Sequence, residues 1–413
     1  MPYLVPFITA LLGLLSPQEP VPESASPDRL AQRLAGWDLD RQPWSSETGW
    51  LTGLLEVLEI PPSAQTLVFS QTSFQNTRIS SHQPRALFFG DDVYLGWIPG
   101  APVVEVITLG EAEGPGFFTI DQSNTKRPRL TVHGEDCLTC HGGPLTHNRP
   151  GLLARSVHPA ADGIPILGFG SNLVDHTTPL AKRWGGWFVT GDTGGQPHLG
   201  NRTTTDEEGP LVAAEHSAPE SLASRLKRLH YPSEGSDLLA LMVLEHQLDL
   251  HNRMTEARLE VASALERDRV LAPLLGESAD RRSSSSIEIL EHQAERLLDG
   301  LLFHREAPLK GPIQGSSSFA SDFGRNATRD SAGRSLRDFD LSTRLMRYPC
   351  SWLILDPSWD TLPPEVGDLV RTKLHAVLTG APAFDRFVRL SLARRGEILE
   401  LLGVLKPSYF KGL

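Results

Sequence analysis

Five short runs of β-branched and aromatic residues follow one another between Ala64 and Leu130: Thr66–Phe69, Ala86–Phe89, Val93–Ile98, Val103–Ile107 and Gly116–Ile120. Gly-Asp-Asp, Pro-Gly and Gly-Pro-Gly turn signals separate the later ones. Runs this short and this closely spaced cannot each be covered by a crossover helix, so they predict an antiparallel meander. Residues 186–190 and the stretch around Ile164–Leu167 are expected to add strands further on. After residue 236 the pattern changes. Asp237–Leu265 carries apolar residues on nearly every side and predicts a buried helix. Ser286–Phe303 is amphipathic at helical spacing. Shorter helices are expected at Asp28–Trp37, Glu365–Leu378 and Phe384–Leu402, with a long polar loop over Pro308–Tyr348. The fold class is therefore α+β. Residues 28–235 form a β-rich region, and 236–413 form a mainly helical, loop-rich region. With no Pro/Ser linker between them, the two are compatible with one intertwined domain.

The chain has 413 residues and a formal charge of −11. An acidic chain argues against nucleic acid as a partner, because phosphate contacts need clustered Lys and Arg. Residues 1–27 read as an export signal or anchor followed by a linker. The apolar run Tyr3–Leu15 has the length of a signal h-region, although no Lys or Arg precedes it, and a buried N-terminal helix is the alternative. No other segment is long and apolar enough to predict a membrane span.

The chain contains only three cysteines, Cys137, Cys140 and Cys350, which excludes a disulfide framework. Two of them stand in Cys137-Leu138-Thr139-Cys140-His141. Two intervening residues place both sulfurs on one side of a single turn. Each thiolate can add to a vinyl group of protohaem, and the adjacent imidazole then faces the iron as proximal ligand. With 14 histidines and three cysteines, chance produces this spacing in about one such chain in 1,000. A zinc ribbon needs a second Cys/His pair, which Cys350 alone does not supply. A thioredoxin-like pair needs a βαβ setting, which Thr131–Asp136 does not resemble. A Cys137–Cys140 disulfide is strained. One covalently attached haem c, held by Cys137, Cys140 and His141, is the expected cofactor.

The motif resembles that of the c-type cytochromes. Ser80–Trp97, Asp175–Gly200 and Arg329–Leu355 also resemble a group of large, exported, single-haem cytochromes of unknown function. This likeness spans most of residues 65–405. The order of strands before the haem motif resembles the β-type haem proteins of the cytochrome P460 class. The resemblance implies haem binding and electron transfer, not a known substrate; an exported, periplasmic location, a haem-maturation machinery for attachment and a redox partner protein are expected with it.

The occupant of the sixth iron position separates carrier from catalyst. His176, beside Asp175, and His198, in a Gly-rich stretch, are the expected distal candidates; His251 and Met254 are further ones. Arg155, Arg183 and Arg202 match haem propionates in chemistry. Cys350 and the tryptophans Trp97, Trp184 and Trp187 are expected in the core. Two functional classes follow. The first is an electron-transferring cytochrome. The second is a haem-dependent oxidoreductase, peroxidase-like or acting on a small molecule, with an open distal site. In that case His176 and Arg183 supply the residue types.

Overall fold

The computed structural model describes residues 27–109, 114–278 and 280–412. The predicted signal or anchor therefore lies outside the described residues, apart from Pro27.

Two short helices, α1 (Pro27–Ala35) and α2 (Leu51–Val57), precede the meander. The five predicted runs become β1 (Thr66–Val68), β2 (Arg85–Phe89), β3 (Val93–Trp97), β4 (Val103–Leu109) and β5 (Pro115–Asp121). A sixth strand that the sequence did not disclose, β6 (Leu130–His133), follows and leads directly into α3 (Glu135–His141). A three-residue hairpin, β7 (Arg155–Val157) with β8 (Ser171–Leu173), comes next, and then β9 (Trp187–Phe188). The main sheet has seven antiparallel strands in the order β6-β5-β4-β3-β2-β1-β9. The predicted strand around Ile164–Leu167 is absent. Its residues join a 3₁₀ turn, Leu167–Phe169, and the side chain of Leu167 is 84% exposed, so no buried face selects strand geometry there.

The strand register sorts side chains between the two faces of the sheet. Cross-strand partners Val68↔Arg85, Val68↔Trp187, Gly96↔Glu105, Ile107↔Phe117 and Phe117↔His133 share one face. Their sequence neighbours Leu67, Phe88, Leu95, Trp97, Val104 and Ile120 point the other way and are buried. On that second face Tyr231 packs edge-on against Trp97, with centroids 5.3 Å apart, just beyond α4 (Ser221–Arg228).

The first face is covered by α5 (Leu238–Leu274), a helix of 37 residues. Asp237 caps it, accepting the Leu239 N–H at 2.8 Å. Every residue from Leu238 to Leu244 is buried, as its all-round apolar pattern requires. The helix runs nine residues past the predicted end at Leu265. Helix α6 (Ser284–Leu301) packs along it, and Gly300 lets the two approach: a Cβ there would lie 2.9 Å from Arg253 Cδ. The remaining helices are α7 (Phe319–Arg325), inside the predicted polar loop, α8 (Pro357–Asp360), α9 (Pro364–Leu378) and α10 (Leu392–Leu405). One continuous apolar core runs from Leu30 to Leu402. The boundary at residue 235 lies inside it, since the Ser236 carbonyl accepts from Thr190 and its hydroxyl accepts from the Leu67 N–H of the sheet. Among the described residues no helix is long and apolar enough to cross a membrane.

Candidate functional site

Between the first sheet face and α5 lies a cavity of about 460 Å³. Phe117, Ile107, Leu87 and Val68 supply its sheet wall, and Leu244 and Leu248 of α5 supply the opposite one. Cys137, Cys140 and His141 all border it. Phe74 and Leu145, 61% and 43% exposed, also line it, so it reaches the surface.

Local chemistry fixes the motif. Gly134 precedes α3 and its carbonyl accepts the Cys137 and Leu138 N–H groups. Gly142 ends the helix, donating to the Leu138 carbonyl at 2.8 Å. The chain then turns back through His147 and Asn148, both in the left-handed region (φ 55° and 57°), which asparagine tolerates better than most residues. The turn returns Gly151 to His141, and the two residues exchange hydrogen bonds. The Gly151 N–H donates to the His141 carbonyl at 2.8 Å, and His141 Nδ1 donates to the Gly151 carbonyl at 2.8 Å. A Cβ at 151 would meet Thr146 Cγ2 at 2.9 Å, so glycine alone fits without movement. Asn252 of α5 clasps the next residue from both sides, accepting the Leu152 N–H at 2.7 Å and donating to its carbonyl at 2.9 Å. Arg149 adds an ion pair to Glu260 of the same helix at 2.6 Å.

This arrangement determines which nitrogen is available. With Nδ1 donating to a carbonyl, the neutral imidazole keeps its lone pair on Nε2, which has no hydrogen-bond partner among the described residues. Burial holds the His141 pKa below its ordinary value, against the Gly151 carbonyl, and so favours the neutral ligating form. A backbone carbonyl that orients an imidazole through its other nitrogen is the usual support of a metal-bound histidine. Burial and the nearby Glu105 carboxylate push the Cys137 thiol up to about 11. Cys137 is half-buried and Cys140 exposed.

The expected distal residues lie elsewhere. His176 does not border the cavity. It is buried against His246 (Nδ1 to Nδ1, 3.4 Å) and the His304 carbonyl (3.3 Å). The Asp175 carboxylate expected to orient it caps the turn at Thr177 and Thr178 instead. His198 is also buried away from the cavity, accepting the Gly200 N–H on Nδ1 at 3.0 Å and packing on Trp184. Its surrounding glycines meet protein atoms: a Cβ at Gly194 would lie 2.2 Å from the Pro312 carbonyl oxygen. His251 bonds the Tyr94 hydroxyl at 2.7 Å, and Met254 is core. Arg183 is held by Glu245 at 2.6 Å, and Arg202 donates to the Val212 carbonyl. Of the three arginines only Arg155 lines the cavity, as does Trp187. Trp97, Trp184 and Cys350 are core, as expected. Cys350 is fully buried, and among the described residues no cluster of three or more Cys, His, Asp or Glu side chains offers an ion site of the zinc-ribbon kind.

Arg85, Glu105 and His133 on the sheet wall also line the cavity and were not among the candidates named from the sequence. His133 is the one other imidazole lining the cavity among the described residues, and no methionine lines it. His133 Nε2 is bonded to the Thr119 hydroxyl at 2.8 Å. It stands opposite Phe117, whose ring packs against His141 at 5.0 Å, so both imidazoles belong to the same flank.

The misplaced histidines have a measurable consequence. His176, His198, His246 and His251 are each at most 3% exposed, and burial pushes all four down, His198 to about 4 and His251 to about 3. Folded, they stay neutral where the unfolded chain would take up protons, so their contribution is lost as pH falls below about 6.5. Burial moves Glu245 and Glu306 the other way, both up to about 7, which offsets part of that loss. Burial also lowers His141, His158 and His304 and raises Asp356, so seven bases stand against three acids, and stability should fall between pH 7 and pH 5. Urea denaturation at the two pH values measures this, and greater stability at pH 5 would contradict it.

Neither a family model, nor a curated protein, nor a solved structure matches the chain.

Proposed function

We propose that the protein is a c-type cytochrome that binds one haem through Cys137 and Cys140, takes His141 as proximal ligand, and moves single electrons in an exported compartment. The observation that carries this reading is the His141–Gly151 exchange. It presents a neutral imidazole, Nε2 free, on the wall of a cavity that both cysteines of the motif also border. The volume and the mostly apolar lining suit a cofactor of porphyrin size. When bound, the haem supplies the one-electron couple. The chain supplies the rest. Cys137 and Cys140 fix the position of the cofactor. Gly151 and Asn252 hold the His141 ring in one orientation. Leu244, Leu248 and the sheet exclude water from both sides. Arg155 carries a buried Nε without a protein partner and suits a propionate.

A redox partner protein and a haem-maturation machinery belong to this reading. The second reading, a haem-dependent oxidoreductase, is favoured by one observation: the lining offers no methionine, and its second imidazole sits on the His141 flank. Within the cytochrome reading this composition favours an open sixth position.

The test is expression of the full chain with a haem-maturation system, followed by a pyridine haemochrome assay and oxidised and reduced spectra. The expected result is one haem per chain that resists acidic acetone, with a c-type haemochrome band. A colourless protein would overturn the proposal.

A further inference from the structure

The seven-stranded sheet ends in an open edge. β6 is hydrogen-bonded to β5 alone. The Asp121 N–H donates to the Arg129 carbonyl at 3.1 Å, and the register continues through Thr119↔Thr131 and Phe117↔His133. Bonded and unbonded pairs alternate along an antiparallel ladder, so Thr131 and His133 use their backbone groups on β5, and those of Leu130 and Val132 face away from the sheet. No hydrogen bond meets them among the described residues. Natural edges of this kind are blunted by a charge, a proline or a covering segment. Leu130-Thr131-Val132-His133 holds no Lys, Arg, Asp, Glu or Pro, and the Val132 side chain is 56% exposed. The charges stand at the two ends of the strand instead and are opposite in sign. Lys126 and Arg127 precede it, and Glu135 and Asp136 follow it. All four are exposed, and none forms an ion pair among the described residues.

We propose that β6 is a self-pairing edge, which takes up β6 of a second copy of this chain, antiparallel, across a twofold axis at Thr131. Outward backbone groups of both strands meet when Leu130 bonds Val132 of the second copy and Val132 bonds its Leu130, with the two Thr131 residues facing each other between them. Carried past the strand ends, the same offset brings Arg127 to Glu135 and Lys126 to Asp136 of the second copy, and the reverse by symmetry. Sliding the strands by two residues leaves at most one of the acids matched. Parallel pairing sets like charges beside like, which is unfavourable where opposite charges are favourable. The order of charges therefore selects both the partner and its direction. A ladder of four residues buries less than a standard interface, so the dimer is a weak one, with Kd roughly 10–100 µM. β6 runs directly into α3, so the two motif helices lie at opposite ends of the shared ladder. The pairing uses no cofactor and is independent of the cytochrome reading.

The experiment is sedimentation velocity of the full-length protein from about 5 to about 500 µM, with hydrogen–deuterium exchange at both ends of that range. The expected result is a sedimentation coefficient that rises from monomer towards dimer, with the amides of Leu130 and Val132 exchanging more slowly at the high concentration. Salt at about 1 M should weaken association several-fold. Val132→Pro removes an outward N–H that β5 does not use, so the variant should fold, as circular dichroism checks, and stay monomeric throughout. Arg127→Glu should weaken the dimer about tenfold, because it sets two carboxylates together at both ends of the ladder. Glu135→Arg should do the same with two cations. The two changes combined should restore association to within about threefold of wild type. A monomer at every concentration would overturn the inference. So would a folded Val132→Pro that dimerises like wild type, or a combined variant as weak as either single one.

Discussion

Replacing Cys137 and Cys140 together by Ala is expected to abolish covalent haem: no haem-stained band on a denaturing gel, and complete extraction into acidic acetone. Thioether formation needs a thiol at each position. The third cysteine, Cys350, is fully buried and does not border the cavity, so it cannot substitute. Each single variant should keep one thioether and shift its haemochrome band, because one vinyl group remains. His141→Ala separates attachment from ligation. Both cysteines still border the cavity, so haem should stay attached, but the strong-field ligand is lost and the spectrum should become high-spin. The Gly151 carbonyl and the Leu152–Asn252 clasp remain in that variant, so it should fold. Retention of haem by the double variant after acidic acetone would refute the attachment, and an unchanged His141→Ala spectrum would refute the ligand.

The second large effect lies behind the cavity. Glu245→Ala should destabilise the protein by about 3–5 kcal/mol, the usual cost of removing one partner of a buried ion pair. Arg183 is 1% exposed and donates to Glu245 Oε2 at 2.6 Å, while the Trp184 indole N–H donates to Oε1 at 2.7 Å. Truncation therefore leaves the Arg183 charge with only the Thr178 and His176 carbonyls, which accept from its Nε and Nη2, and strands a buried indole N–H. The double change Arg183→Met with Glu245→Leu should cost much less, because an apolar pair leaves no uncompensated charge. Urea denaturation at pH 7 checks both. A single variant within 1 kcal/mol of wild type would show that water or a rearranged neighbour meets Arg183. Glu245 is adjacent in sequence to Leu244 of the cavity wall. A shifted Soret band in Glu245→Ala would report that the two regions share packing.

The meander was legible because its first five strands carry apolar residues on both faces, and turn chemistry separates most of them. β6 was not legible: Leu130, Thr131, Val132 and His133 form an edge strand that no second layer covers, and none of the four is buried. The C-terminal turns of α5 were missed for the opposite reason. Residues 266–274 have no apolar face to betray a helix, and Val270, Leu271 and Leu274 are all exposed. In the site, Cys137, Cys140 and His141 could be singled out because they are contiguous in sequence, and all three border the cavity. The residues completing it are distant in sequence, and Asn252 and Gly151 have no local pattern. Glu105 did leave a trace: a lone charge between valines in Val103-Val104-Glu105-Val106-Ile107 interrupts an otherwise apolar strand. His176 and His198 misled because loop histidines beside carboxylates and glycines look available, whereas His246 of α5 and Phe303 pack around the first and the Trp184 ring covers the second.

The second wall of the cavity has a consequence for the order of events during synthesis. Leu244, Leu248 and Asn252 are made about a hundred residues after the cysteines, and the contacts that seal the cavity are long: 100 residues between Leu152 and Asn252, 157 between Tyr94 and His251. Contacts that distant form late, whereas the hairpins of the meander close locally. A chain emerging N-terminus first thus completes the sheet and α3 while its thiols still face solvent. The arrival of α5 ends that interval, and under the proposed haem attachment the helix would be a timer on covalent loading as well as a wall.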